Sequence, residues 1–207
     1  MIKTLLSLVL AMTFAAAPAA AQDMPGLQVG DLAPDFTAND FRGESFTLSD
    51  HFAEGPVILV FYRGGWCPYC NKHLQSLQAR MQDFEKFGAR LVAVSVDTVE
   101  KAAEPVKGHN LTFDVISNPE GDIIKAYGLS FKVPVEIREK YKEYGIDLKA
   151  ASGRDDGLIA VPATYIIDEG KIIFAYADED YTKRATPEQI LAALDEWQAG
   201  QQPMLLQ

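Results

Sequence analysis

The 207-residue sequence contains few basic residues, only two cysteines, and only one long apolar run, at its start. It has 19 Lys and Arg against 29 Asp and Glu, a net charge of −10. This argues against nucleic acids and anionic membranes as partners, because both attract basic surfaces. After residue 21, no stretch approaches the roughly 20 apolar residues that span a bilayer. With 48% hydrophobic residues, the chain is predicted to fold as one acidic globular domain.

The first 21 residues have the pattern of a cleaved signal peptide. Lys3 gives a short positive region, residues 5–17 are almost wholly apolar, and Ala19 to Ala21 supply small residues before Gln22. No cysteine follows the cleavage site, which argues against a lipoprotein anchor. We expect an exported protein, periplasmic in a Gram-negative source and otherwise secreted. Its domain would span residues 22–200, followed by a tail at 201–207.

Export makes the two cysteines, Cys67 and Cys70, informative. A disulfide is common in an oxidising compartment, but one across C-x-x-C closes a very small loop. Such a loop stabilises by only roughly 2 kcal/mol, against about 4 to 5 kcal/mol for a long one. A redox-active pair is therefore a better interpretation than a structural disulfide.

The apolar pattern predicts one continuous α/β domain. Residues 57–62 and 91–96 are apolar runs typical of strands buried on both faces. Between them, apolar residues at helical spacing predict a helix that continues to Gly88. These residues are Leu74, Leu77, Met81, Phe84 and Phe87. Strand, helix and strand together predict a right-handed βαβ unit with parallel strands.

Further elements follow the βαβ unit. We predict a helix over 99–107, a hairpin of strands 163–168 and 171–176, and a last helix that begins at Thr186 and Pro187. Residues 26–52 form an N-terminal extension of the sheet. Residues 129–157 form an insertion, which is a lid, a partner surface or decoration.

The chemistry is concentrated where the first buried strand meets the helix. Cys67 lies at the N-cap position, Pro68 at the first helical position, and Cys70 in the first turn. Unpaired N–H groups and the positive helix end favour thiolate over thiol. The spacing also puts both sulfurs on one face, so that one can attack and the other can resolve a mixed disulfide.

Several residues near the two cysteines allow two interpretations each. Arg63 either stabilises a thiolate or forms a surface ion pair. Trp66 and Tyr69 either dock a partner disulfide or pack the turn. The Val161–Pro162 pair precedes a predicted strand, where proline suits an edge or a cis turn.

His73 also has two readings. We expect it to be a polar residue on the exposed side of the helix. In the alternative interpretation, His73 lowers the pKa of Cys70.

These motifs resemble the thioredoxin fold, and Cys-Pro-Tyr-Cys at 67–70 resembles the glutaredoxin active site. The wider chain looks more like the alkyl hydroperoxide reductase/thiol-specific antioxidant (AhpC/TSA) family, the peroxiredoxin-like proteins. The matching pieces are residues 29–36, Phe61-Tyr62, 118–122 and 126–128. The resemblance implies a thioredoxin-like α/β fold, with a central mixed sheet flanked by helices.

The peroxiredoxin pattern Pro-x-x-x-Thr-x-x-Cys can be laid onto this chain. Cys70 then takes the peroxidatic position, Cys67 that of the hydroxyl residue, and Arg63 that of the proline. The family's later arginine falls at Pro162. This chain therefore lacks the family's proline, hydroxyl residue and arginine, which stabilise the charge that develops as the O–O bond breaks. Fast peroxidase activity would need another residue to stabilise that charge, and Arg63 is the candidate.

We therefore expect an exported thiol oxidoreductase whose Cys67–Cys70 dithiol cycles with a disulfide. The substrate is a peroxide, with Cys70 attacking, or a protein disulfide, with Cys67 attacking by analogy with thioredoxins. No organic cofactor is expected, and a thiol reductant such as a thioredoxin-like donor is needed. The electron donor and the oligomeric state are not encoded in any motif.

Two non-enzymatic alternatives stay open. Cys67, Cys70 and His73 form a C-x-x-C-x-x-H set that could bind copper. A tetrahedral zinc would need a further ligand, and His51 and His109 have no ligand motif around them, so no metal site is expected. The pair could also be a structural disulfide that never turns over.

Overall fold

The computed structural model describes residues 24–201, so the predicted signal peptide and residues 202–207 lie outside the described part. The elements in chain order are β1 (Thr37–Asp40), β2 (Ser45–Thr47), a 3-10 turn (Leu48–His51), β3 (Val57–Phe61), α1 (Pro68–Gln78), α2 (Met81–Glu85), β4 (Arg90–Ser95), α3 (Val99–His109), β5 (Asp114–Ser117), α4 (Asp122–Ala126), β6 (Ser130–Lys132), α5 (Val135–Glu143), α6 (Leu148–Ser152), β7 (Leu158–Ala160), β8 (Ala163–Asp168), β9 (Lys171–Ala177) and α7 (Pro187–Gln201). No helix in this range is both long and apolar enough to cross a membrane.

Seven strands form one mixed sheet in the order β2-β1-β5-β4-β3-β8-β9, and β6 pairs with β7 alone. β3 and β4 are parallel, as the βαβ prediction required, while β3 and β8 are antiparallel. The predicted fold class, a central mixed sheet flanked by helices, is confirmed.

The sheet is buried on both faces, which explains why β3 is apolar throughout. Val57, Leu59 and Phe61 belong to one core cluster. Ile58 and Val60 belong to the other, together with both cysteines. Alternate side chains of a strand point to opposite faces, and each buried one contributes about 1.5 to 3 kcal/mol.

The predicted continuous helix up to Gly88 is wrong in one respect. α1 ends at Gln78, and Arg80 leaves helical geometry with φ −114° and ψ 12° before α2 begins. Leu77 and Phe84 are both fully buried on either side of the break. Because the two short helices present the same apolar face to the sheet, the spacing of apolar residues could not reveal the interruption.

Other predicted elements agree with the structure. α3 runs to His109 with Pro105 inside it. The hairpin of β8 and β9 turns at Glu169 and Gly170. At the start of α7, the Gln189 N–H donates to Thr186 Oγ1 and the Thr186 N–H donates to Gln189 Oε1, which is a capping box.

Candidate active site

The turn between β3 and α1 is held by a short set of hydrogen bonds. The Gly65 N–H donates to Asp97 Oδ2 at 2.7 Å, and Asn71 Nδ2 donates to the Gly65 carbonyl at 2.8 Å. Gly64 has φ +145°, and a Cβ there would lie 2.3 Å from Trp66 Nε1. The turn therefore requires glycine at this position, three residues before Cys67 at the start of the helix.

Cys67 is the N-cap residue of α1, with extended backbone, and Pro68 is the first helical residue, as predicted. Both cysteines are free and buried. The pKa of Cys67 is lowered to about 6, mainly because the Cys70 thiol donates a hydrogen bond to its sulfur. The Cys70 backbone N–H and the charges of Arg63 and Arg184 lower this pKa further, while burial opposes the shift.

The pKa of Cys70 is shifted in the opposite direction. Burial raises its pKa well above the ordinary value, and the neighbouring Cys67 sulfur raises it further. Arg184, from the loop between β9 and α7, directs Nη2 at Cys70 Sγ at 3.6 Å and partly offsets the shift. At neutral pH the reduced pair is therefore a Cys67 thiolate beside a Cys70 thiol.

Arg63 is buried and forms no ion pair with any residue in the range 24–201, so the surface ion-pair reading is wrong. Its Nη2–H donates to the Tyr141 hydroxyl at 2.7 Å. The guanidinium carbon lies 4.1 Å from the Tyr181 ring centroid and 5.0 Å from that of Trp66. Aromatic rings stabilise such a buried cation by roughly 2 kcal/mol each. An arginine held beside a thiolate in this way keeps its charge available to that thiolate.

Trp66 and Tyr69, for which the sequence predicted the same role, have different surroundings. Trp66 is half-buried and packs on Tyr141 with ring centroids 5.8 Å apart. Tyr69 is 49% exposed and meets Tyr181 edge to face at 5.7 Å. Trp66 therefore packs the turn, and Tyr69 remains available for contact with a partner.

The segment 129–157 is a wall of the site rather than distant decoration. Tyr141 of α5 is the residue that contacts both Arg63 and Trp66. A groove of about 560 Å³ runs from Arg63, Tyr141 and Tyr181 along this segment. Its apolar lining includes Phe131, Val133, Pro134, Ile137, Ile159 and Val161.

Val161 and Pro162 line the same groove, directly before β8. The Val161 N–H donates to the Leu129 carbonyl at 2.7 Å, which joins the inserted segment to the strand. The peptide bond between Val161 and Pro162 is trans, and β8 pairs with β3 on one side and β9 on the other, so neither the cis turn nor the edge strand expected from the sequence is found. Pro162 lies directly before the strand, where its missing N–H removes no ladder bond.

The prediction that His73 lies on the exposed side of the helix is wrong. It is buried, and its Nε2–H donates to the Ala185 carbonyl at 2.9 Å. Burial lowers its pKa to about 4, with the positive charge of Arg184 adding to the shift. A neutral imidazole supplies no charge to lower the Cys70 pKa, so that alternative is wrong as well.

Four contributors to this site were not identified from the sequence: Asp97, Tyr141, Tyr181 and Arg184. Asp97 lies two residues after the end of β4, whose carboxyl end adjoins that of β3, and a polar residue at that point was the signal available. The other three lie far along the chain in loops and in the insertion, and no local pattern connects them with the cysteines. Within residues 24–201, no three His, Cys, Asp or Glu side chains are grouped as metal ligands would be.

Comparison with known proteins agrees with this arrangement. Residues 29–175 match the AhpC/TSA family. The chain belongs to the AhpC/TSA family. A Mycobacterium tuberculosis protein named "Putative peroxiredoxin MT2597" is 30% identical over 161 residues, covering 77% of this chain and 88% of its own. The thiol-disulfide oxidoreductase ResA of Bacillus thuringiensis subsp. konkukian is 26% identical over 170 residues, covering 78% and 80%.

Solved structures agree on the fold of this AhpC/TSA protein. The peroxidoxin BcpB of Mycobacterium tuberculosis superposes with a TM-score of 0.66 at 22% identity, covering 84% of this chain and 97% of its own. With relatives among both peroxiredoxins and thiol-disulfide oxidoreductases, the protein is a thiol-dependent, peroxiredoxin-like oxidoreductase. Tyr181 and Arg184 follow the range that matches the family.

Proposed function

We propose that the protein reduces a hydroperoxide through Cys67 and Cys70, with Cys67 attacking first. The observation that carries the proposal is the asymmetry of the pair: Cys67 has a pKa of about 6, whereas burial keeps Cys70 protonated. At pH 7 a thiol with a pKa of about 6 is roughly 90% thiolate, the reactive form. This order reverses the expectation that Cys70 is the peroxidatic sulfur.

The proposed cycle balances in two steps. The Cys67 thiolate attacks the terminal peroxide oxygen, the O–O bond breaks, the alkoxide leaves and takes a proton, and Cys67 becomes a sulfenic acid. The Cys70 thiol then displaces water from that sulfenic acid and forms the Cys67–Cys70 disulfide. An external dithiol, itself oxidised to a disulfide, returns both cysteines to thiols.

Arg63 is the proposed substitute for the missing peroxiredoxin groups. Its buried guanidinium uses one N–H on the Tyr141 hydroxyl and lowers the Cys67 pKa through its charge. The remaining donors can stabilise the charge on the leaving oxygen. The adjoining groove is mostly apolar, which supports a hydroperoxide that carries a hydrocarbon group.

The experiment mixes reduced protein with cumene hydroperoxide in the presence of a sulfenic acid trap. In Cys70→Ser, we expect the trap on Cys67 and no disulfide. In Cys67→Ser, we expect peroxide consumption to fall at least a hundredfold. Trapping on Cys70 in Cys67→Ser at the wild-type rate would contradict the proposed order, and no peroxide consumption by the wild type would contradict the function.

Reduction of protein disulfides is the second candidate function. It is supported by the similarity to ResA and by the exposed aromatic pair Tyr69 and Tyr181 beside the cysteines. Aromatic side chains of this kind are common at the centre of protein interfaces. Rapid reduction of insulin disulfides, together with negligible peroxide consumption, would favour this function over the first.

We further propose export, with cleavage after Ala21. The chain expressed in a Gram-negative host should then be recovered from the periplasm with Gln22 as its first residue. Recovery of the uncleaved chain from the cytosol would contradict this. In an oxidising compartment, repeated turnover needs a dedicated thiol reductant, which we propose to be a thioredoxin-like protein.

A further inference from the structure

The groove beside Arg63 is much larger than hydrogen peroxide. Its volume is about 560 Å³. Two oxygen atoms fill only roughly 60 Å³ if each takes the share of one water molecule in the liquid. Of the described residues that line the groove, only Arg63 and Glu179 carry a charge. Sites of this size with apolar walls and few polar groups fit ligands that have a substantial hydrocarbon part.

One side of the groove is formed by the two-stranded sheet of β6 and β7. Phe131 and Ile159 are register partners in this sheet, and both line the groove. Directly paired residues of antiparallel strands have their side chains on the same face, with Cβ atoms about 5 Å apart. Ile159 is buried, whereas Phe131 is 48% exposed although it is large and apolar. The pair therefore gives the groove an apolar surface on which one aromatic ring is accessible.

Another side of the groove is formed by α5. Pro134, at the start of this helix, and Ile137 and Tyr141 within it all line the groove. Separations of three and four residues put these side chains on one face of the helix. Ile137 is an exposed apolar side chain on that face. Val135 is exposed as well, but it does not line the groove.

Arg63 joins the groove to the sulfurs. Pro162, which also lines the groove, comes directly before β8, and the first residue of β8 pairs with the last residue of β3. The groove therefore reaches the strand end from which the cysteine-bearing turn begins. The Arg63 guanidinium carbon lies 5.0 Å from the centroid of the Trp66 ring, and Trp66 directly precedes Cys67. A peroxide group bound at Arg63 is thus beside the attacking sulfur, with the rest of the molecule in the groove.

We propose that Phe131 and Ile137 are specificity-determining residues, which bind the hydrocarbon chain of a long alkyl hydroperoxide and make it a better substrate than hydrogen peroxide. This inference rests on the proposed peroxidase function and names the part of the substrate that the groove selects. The step at sulfur is the one described above, and the corresponding alcohol leaves. Because the chain stays bound in the transition state, its burial increases kcat/KM.

The test compares the reaction of reduced protein with hydrogen peroxide and with ethyl, butyl, hexyl and octyl hydroperoxide. Rapid quenching with an alkylating reagent, followed by mass spectrometry, gives the second-order rate constant for oxidation of Cys67 in a single turnover. In the wild type, this constant should increase about twofold to fourfold for each added methylene, since the chain is partly to fully buried.

Two substitutions in the groove and one beside it test the assigned residues. Ile137→Glu and Phe131→Ala should each lower the ratio of the octyl hydroperoxide rate constant to the hydrogen peroxide rate constant tenfold or more. The first puts a charge against the hydrocarbon chain, and the second removes its aromatic contact. Val135→Glu is the matched control, because it adds the same charge to the same helix outside the groove, and it should keep the wild-type ratio.

Several results would overturn the inference. Equal rate constants along the series in the wild type would do so, and so would a wild-type ratio in both groove variants. An equal fall of the ratio in Val135→Glu would do so as well, because a charge anywhere on α5 would then be the cause. Rapid oxidation by hydrogen peroxide without any dependence on chain length would therefore refute the specificity and leave the peroxidase function standing.

A reaction without peroxide tests the groove even where no peroxide reacts, a result that would refute the proposed function. In reduced Cys70→Ser, the Cys67 thiolate attacks the sulfenyl sulfur of an alkyl methanethiosulfonate, the S–S bond of the reagent breaks, and methanesulfinate leaves. The octyl reagent should label Cys67 at least tenfold faster than the methyl reagent, and Ile137→Glu should remove this difference. Equal labelling by the two reagents would overturn the inference whatever the peroxides do.

Discussion

Acidification should destabilise the protein through His73 in a way that can be calculated from its surroundings. The imidazole is buried among core residues and donates to the Ala185 carbonyl. Burial lowers its pKa to about 4, whereas an unfolded chain keeps the ordinary value of 6.5. A gap of about 2.5 pKa units corresponds to about 3 kcal/mol.

The sign follows from the direction of the shift. The folded state binds this proton less readily than the unfolded state, so the stabilisation is present above pH 6.5. It decreases as pH falls from 6.5 to 4. Asp97 acts in the opposite direction, because its raised pKa increases the free energy of unfolding as pH falls from about 6 to its ordinary value of 3.8.

The assay compares urea unfolding of the wild type and His73→Gln at pH 7, 6, 5 and 4. Glutamine keeps a donor for the Ala185 carbonyl and has no titratable group. The difference between the two proteins cancels the contributions of Asp97 and other acids. We expect His73→Gln to gain about 3 kcal/mol relative to the wild type between pH 7 and pH 4. Parallel curves for the two proteins would refute the assignment of a buried, neutral imidazole.

Three further substitutions test other contacts of the site and its frame by urea unfolding. Gly64→Ala should lower the free energy of unfolding by about 2 to 5 kcal/mol, since its Cβ would clash with Trp66 at positive φ. Tyr141→Phe should lower it by about 1.5 to 3 kcal/mol, because buried Arg63 loses its only hydrogen-bond acceptor among the described residues. Thr186→Ala should lower it by about 1 kcal/mol through loss of the α7 cap.

Matched substitutions distinguish these effects from general damage. Gly145 also has positive φ but nothing within 4 Å of a Cβ, so Gly145→Ala should cost only about 1 to 2 kcal/mol. Tyr144 is 80% exposed, so Tyr144→Phe should leave stability unchanged. A Gly64→Ala protein as stable as Gly145→Ala would contradict the close approach of Trp66, and equal stabilities for the two tyrosine variants would contradict the Arg63 contact.

Local sequence determined the main strands and helices of this protein and the position of its two sulfurs. The apolar run of β3, the glycines of the turn, and Cys67-Pro68 at the helix start each act within a few residues. Capping, φ preference and alternate burial are local effects, so the strands, the βαβ unit and the C-x-x-C pair at a helix start could be predicted. The mixed sheet flanked by helices was implied by the resemblance to a known fold, and the order of its strands came from the structure.

Only the tertiary structure decided how the two thiols differ and what surrounds them. Arg184 and Tyr141 reach the site from segments more than seventy residues away, and Asp97 reaches it from the neighbouring strand. A pKa depends on burial and on charges brought together in space, and neither is a property of a short motif. For this reason the peroxiredoxin pattern assigned the peroxide-reactive sulfur to Cys70 without information on either pKa, and the sequence predicted an exposed His73. In the folded chain the pKa of Cys67 is the lowered one and His73 is buried.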